Sequence, residues 1–196
     1  MQVNTGTSAL LYSVRLRDRS PNNRGFVQLP TVVDDDGNVA TFPVDPSVLS
    51  QAARCYIGTC PSAALVNSPS VNRDCVHIRA AIACNTEAEL LQIDPSVVDS
   101  LTFITEDVRT VLRHFMANET CPMIQRVTRS VLVVRSQPTY DCTLEFVHVT
   151  FTESVRTRSD TSPKFTCDCR VRCFVLLSYF YVSLSEIVKI CVRRSK

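Results

Sequence analysis

No charge of either sign dominates this sequence. Its 21 lysines and arginines stand against 19 aspartates and glutamates, a net of +2 over 196 residues. A chain-wide basic field that would by itself announce nucleic acid is thereby excluded, and any such role has to rest on local arginine clusters. A long uncharged apolar run is also missing. The most apolar stretch, "FVLLSYFYVSLSEIVKICV", is broken by Glu186 and Lys189, leaving only Phe174 to Ser185 uncharged. That is short of the ~20 residues a spanning helix needs, so a membrane partner is not expected. The opening "MQVNTGTSALLYSVR" shows no basic segment followed by a long apolar core. No secretory signal is read there, and the expectation is an intracellular protein. Tryptophan is absent and glycine occurs only 4 times, neither of which speaks to function.

Cysteine is what the sequence has in excess, with 10 residues. In a reducing compartment grouped cysteines are metal ligands or buried thiols more often than disulfides. At least one cluster is therefore expected to hold metal.

The first third of the chain reads as a small antiparallel sheet. In "LLYSVRLR", Tyr12, Val14 and Leu16 alternate with Ser13, Arg15 and Arg17, the period of a half-buried strand. The turn "DRSPNNRG", the extended "FVQLPTVV", the turn "DDDGN" and the strand "VATFPV" follow. Asp45-Pro46-Ser47 and Asp94-Pro95-Ser96 each open a short helix, with Asp as N-cap and Pro where its missing N–H costs least. Between them, "IRAAIAC" places Ile78, Ala81 and Ile82 on one helical face. Thr105 caps a further helix, "EDVRTVLRHFMA", striped by Val108, Val111, Leu112 and Phe115, with His114 beside the stripe as an ordinary helix histidine. Past Pro122, "SVLVVRS", the turn "QPTYD", "CTLEFVHVTF" and "FTCDC" read as strands again, Leu144, Phe146, Val147, Val149 and Phe151 being well buried. The fold class expected is α+β, with antiparallel β-hairpin units and short helices.

Two segments share an order. "LLYSVRLRDRSPNNRGFVQL" and "SVLVVRSQPTYDCTLEFVHV" each give strand, proline-containing turn and strand, followed later by a cysteine pair. A repeat of this kind predicts that Cys167 and Cys169 do in a second copy what Cys55 and Cys60 do in the first.

"RCYIGTC" followed by "CVHIRAAIAC" brings Cys55, Cys60, Cys75 and His77 into metal-ligand spacing. A hairpin-like loop can deliver the first two ligands, and a strand or helix start the last two. In a strand or bend, Cys75 and His77 share a side because residues two apart do. Three thiolates and a neutral imidazole around Zn2+ leave about one negative charge, which Arg54, Arg73 and Arg79 are close enough in sequence to offset. Two other readings stay open: buried small hydrophobes with a core histidine, and a nucleophilic Cys–His pair, although no orienting third group or oxyanion site is recognisable for the latter.

Hairpin, cysteine pair, "CVHI" and helix resemble a SWIM-type zinc finger. More closely, "YSVRLRDRSPNNRGFVQL", "RCYIGTC", "CVHIRAAIAC" and "QRVTRSVLVVRS" resemble the uncharacterised family named for open reading frame forty-two of human chromosome two, from about Leu10 to Cys169. The resemblance implies a first SWIM-like site at Cys55, Cys60, Cys75 and His77, with a wider spacer than usual between its cysteines. It also implies a second site opened by Cys167-Asp168-Cys169, in a probable tandem repeat. Nothing after Cys169 supplies a Cys-x-His, so that copy reads as incomplete, with Cys173 or Cys191 as substitute ligands. The family's N-terminal cysteine-rich segment is also missing, which reads as truncation at both ends. The organisation expected is a first SWIM-like unit with its following helices over 1–120, a second, incomplete unit over 121–173, and a divergent apolar tail over 174–196.

By the same resemblance such modules are non-enzymatic, bind DNA or protein, use Zn2+ structurally, and are nuclear; no small-molecule substrate is implied. For DNA the candidate phosphate contacts are Arg126, Arg129, Arg135, Arg156, Arg158, Arg170 and Arg172. No aromatic residues are interleaved with them in a stacking motif. Protein binding stands as the equal rival, including a truncated scaffold whose zinc holds an interaction surface and which binds no DNA.

Overall fold

A computed structural model of the chain describes residues 1–7, 9–16, 22–31, 45, 52–60, 75–92, 94–99, 102, 104–117, 120–136, 144–152 and 164–167, the last four and residues 97, 151 and 152 by backbone alone. The second helix-start signal's earlier twin at Asp45, the strand "VATFPV" and the apolar tail lie outside, or almost outside, these residues. The protein is mixed α+β and divides into two compact units, Met1–Ala88 and Glu89–Lys196.

In the first unit, strands β1 (Gln2–Val3), β2 (Leu10–Arg15), β3 (Arg24–Leu29) and β4 (Arg54–Cys55) form one antiparallel sheet in that order. The helix α1 (Val76–Ile82) packs on one face. The residues meeting it are those at period two: Tyr12 and Val14 from β2, Val27 and Leu29 from β3, Cys55 from β4, against Ile78 and Ala81. Ile78, 1% exposed, alone contributes ~1.5–3 kcal/mol by burial. A seven-residue helix is marginal in isolation, so this packing and its N-terminal anchorage hold it.

β2 is buried on both faces rather than one. Leu11 is 3% exposed and Ser13 fully buried, while β1 pairs along the edge of β2. Ser13 is satisfied by tertiary partners. Its Oγ accepts from Arg24 Nε at 2.8 Å, its carbonyl accepts from Arg24 Nη2 at 2.8 Å and from the Met1 amine at 3.0 Å, and its N–H donates to the Met1 carbonyl at 2.9 Å. A buried hydroxyl without such partners would cost ~1–3 kcal/mol.

The second unit holds a five-stranded antiparallel sheet in the order β5 (Glu89–Leu91), β6 (Ile124–Thr128), β7 (Val131–Arg135), β8 (Phe146–Thr152), β9 (Lys164–Cys167). Two helices precede β6. In α2 (Pro95–Asp99) the Asp94 carboxylate accepts from the Ser96 N–H at 3.0 Å, and in α3 (Glu106–Ala117) the Thr105 hydroxyl accepts from the Val108 N–H at 3.4 Å. Both caps are the ones the sequence announces. The α3 stripe behaves as its spacing predicts, with Val108, Leu112 and Phe115 buried against Ile124, Leu132, Val134 and Val149, and Val111 partly so. His114 is exposed. Val131, Leu132, Val133 and Val134 are all fully buried, as befits the central strand.

The two sheets share one feature. β2, β3 and β4, like β7, β8 and β9, form an antiparallel meander, and the register aligns Tyr12, Val27 and Cys55 in one cross-strand row and Leu132, Val149 and Cys167 in another.

Candidate metal centre

Cys55 ends β4, the short strand laid against Val27. After it the chain turns tightly, the Cys60 N–H donating to the Ile57 carbonyl at 2.8 Å, so both cysteines face the same point. The turn is pinned from below. Ile57 is buried over Gly25 of β3, and a Cβ at Gly25 would overlap Ile57 Cγ1 and lie 3.0 Å from Cδ1. Only a residue without a side chain lets the loop descend this far.

The other two ligands come from α1. Cys75 is its N-cap, in extended conformation (φ −117°, ψ 161°), and its Sγ accepts from the Ile78 N–H at 3.4 Å. The helix begins at Val76, so His77 stands in its first turn rather than in a strand or bend. Cys75 and His77 converge because the cap residue and the first turn bracket the helix end, and period-two alternation plays no part.

All four ligand atoms lie within 4.8 Å of one another. His77 presents Nδ1 to the sulfurs, 3.8 Å from Cys55 Sγ and 3.9 Å from Cys75 Sγ. A tetrahedral ion with sulfur bonds of ~2.3 Å and nitrogen bonds of ~2.0 Å sets S···N edges of about 3.5 Å and S···S edges of about 3.8 Å. The cluster therefore has the size of a coordination shell, and it can hold a metal ion.

Its surroundings fit the same use. Cys55 and Cys60, each 5% exposed, belong to the core formed with Ile57, Ile78 and Ala81. Within that core the neighbouring thiols of Cys75 and Cys55 shift each other in opposite directions. The Cys55 thiol, held protonated by its hydrogen bond to Cys75 and by burial, lies well above the ordinary thiol range. Cys75, receiving that hydrogen bond and those from the Ile78 and His77 backbone, is lowered to about 4. An entering cation takes the place of the Cys55 proton, and the backbone donors already favour the charged Cys75 sulfur. Arg54 and Arg79 stand at the surface near the cluster, and Arg73 lies outside the described residues.

The other residues singled out from sequence are not brought to this centre. Cys167 ends β9, in the row that matches Cys55; Cys169 lies outside the described residues. Arg126 pairs with Glu89 at 3.2 Å. Arg135 pairs with Glu145 at 3.7 Å and lies 5.0 Å over the Phe115 ring. Arg129 is exposed in the turn between β6 and β7, while Arg156, Arg158, Arg170 and Arg172 lie outside the described residues. Sequence reasoning missed Gly25 and Ile57 as supports of the centre. A glycine within an apolar strand was the available signal.

No protein-family model matches the chain, and no solved structure matches it. Fold and site together define the class: a two-unit α+β protein whose first unit carries a Cys3His cluster able to bind metal.

Proposed function

We propose that the protein is a non-enzymatic zinc-binding module in which Zn2+ on Cys55, Cys60, Cys75 and His77 fixes the loop after β4 to the start of α1, and the surface so fixed binds a protein partner. The observation that carries it is the four-ligand cluster itself. Zinc is the divalent ion that a tetrahedral set of three thiolates and one imidazole suits best. Its role is structural, because all four positions are filled by protein and none is open to a substrate. The SWIM-like assignment, the tandem repeat and membership of the chromosome-two family belong to this proposal, supported by the order hairpin, cysteine pair, Cys-x-His and helix.

Protein is favoured over DNA as the partner by what surrounds the site. Tyr56, between the first two ligands, is 36% exposed, and Val76, between the last two, is 37% exposed. Met1–Ala88 carries seven basic and seven acidic side chains, no net attraction for phosphates. Arg126 and Arg135 are engaged by Glu89 and Glu145. The test is binding of labelled duplex and single-stranded DNA at low salt, beside cross-linking of the zinc-loaded chain in cell extract with Tyr56→Ala and Val76→Ser as comparisons. The reading expects no salt-steep DNA binding, and cross-linked partners that both substitutions reduce while zinc stays bound. Submicromolar DNA binding abolished by Arg126→Ala and Arg135→Ala would replace it.

A further inference from the structure

We propose that the metal cluster is also a redox switch, in which a hydroperoxide converts Cys75 and Cys55 into a disulfide and the metal is released. The inference rests on the metal-site reading and adds its regulation. Of the three cysteines, Cys75 is the one that solvent reaches: Cys55 and Cys60 are each 5% exposed, whereas Cys75 is half-buried at the N-cap of α1. Cys55 lies beside it. The two sulfurs are within 4.8 Å and flank the same His77 nitrogen at 3.8 and 3.9 Å. A disulfide closes that gap to ~2 Å, and both sulfurs already point into the same cluster.

The chemistry balances. Cys75 Sγ attacks one peroxide oxygen, the O–O bond breaks, and the leaving hydroxide takes a proton from solvent to become water, leaving Cys75 as a sulfenic acid. Cys55 Sγ then attacks that sulfur and the S–O bond breaks. The second oxygen leaves as water with another solvent proton, because metal-bound thiolates carry none. Two thiolates have lost two electrons and one peroxide has become two waters. Cys60 and His77 remain, two donors where the ion needs four, so it dissociates.

Cys84 and Cys121, cysteines outside the cluster and in no disulfide, supply the internal comparison. The experiment titrates the zinc-loaded chain with hydrogen peroxide, reads released zinc with a chromogenic chelator, and maps cross-links by mass spectrometry without reduction, in the natural sequence and in Cys84→Ser/Cys121→Ser. The result expected in both is one zinc released per peroxide consumed, loss of two hydrogens, a Cys55–Cys75 linkage, and recovery on adding dithiothreitol and zinc. Zinc retained at stoichiometric peroxide, a Cys60–Cys75 linkage, or release that disappears in the double substitution would overturn the switch. A reduced chain that holds no zinc to begin with would sink the metal reading itself, a distinct outcome.

Discussion

Replacing Gly25 by alanine probes the centre without touching a ligand. The new methyl would overlap Ile57 Cγ1, and Ile57, 5% exposed, has no free space to retreat into without lifting the loop. Overpacking of this kind costs about 1–3 kcal/mol, while the stiffer unfolded chain returns about 0.4–1 kcal/mol. The net expected loss is about 1–2 kcal/mol, and it falls on the turn whose Ile57 carbonyl holds the Cys60 N–H. If that strain is relieved by metal release, zinc affinity drops by a factor of about 5–30. The assay is competition with a chelating dye, run beside urea denaturation of the loaded protein. Ile57→Ala gives the cycle its second edge: alone it should cost about 2–5 kcal/mol, and in the Gly25→Ala background clearly less, because the added methyl occupies the space vacated. Unchanged zinc affinity in Gly25→Ala, or strictly additive costs in the pair, would refute the contact as the support of the loop.

Other outcomes follow from the same contacts. In the metal-free chain the Cys55–Cys75 pair should contribute most to stability near pH 9: below the ordinary thiol value of 9.0 the unfolded chain binds a proton on Cys75 that the folded one has shed, so this contribution rises with pH from about 4, and above it the folded Cys55 keeps a proton that the unfolded chain loses, so the contribution falls. Urea midpoints across pH in the presence of chelator, taken as the difference from Cys55→Ser/Cys75→Ser, would show the maximum, and a difference flat through that range would deny the hydrogen bond between the two thiols. Thr105→Ala removes the hydroxyl that accepts from Val108 N–H and should lower stability by about 1 kcal/mol, with Thr105→Ser largely sparing it; equal losses in both would show that the cap is not the cause. Arg126→Ala, which breaks a partly exposed pair with Glu89, should cost less than about 1 kcal/mol by thermal or urea melting, and a larger loss would mean that the pair carries more than its exposure implies.

What was legible in the sequence was what is local. Asp94 and Thr105 announce their helices because a cap acts within three residues, and the α3 stripe announces its buried face because helical period is carried by neighbours. The cluster was legible because four residues of metal-binding type at close spacing are rare enough to stand out. What required the sheet was not legible. Ser13 looked solvent-facing by alternation and is buried, with its partners Arg24 and Met1 supplied from outside β2. Gly25 carried no visible link to Ile57, since the two meet only through the pairing of β3 with β4. For His77 a strand or a helix start was open in the sequence, and the helix start delivers it. Two of the arginines read as one basic run pair with carboxylates, Arg126 with Glu89 and Arg135 with Glu145. Linear charge counts do not register a partner that approaches from another strand.

Metal content per chain bears most directly on the central proposal. Elemental analysis of purified protein should find zinc at about one equivalent, absent from Cys75→Ser and from His77→Ala, while Cys84→Ser, outside the cluster, keeps it. Zinc that survives loss of both Cys75 and His77, or a natural chain that carries none after purification under reducing conditions with zinc supplied, would contradict the account and leave Cys55 and Cys60 as core residues alone.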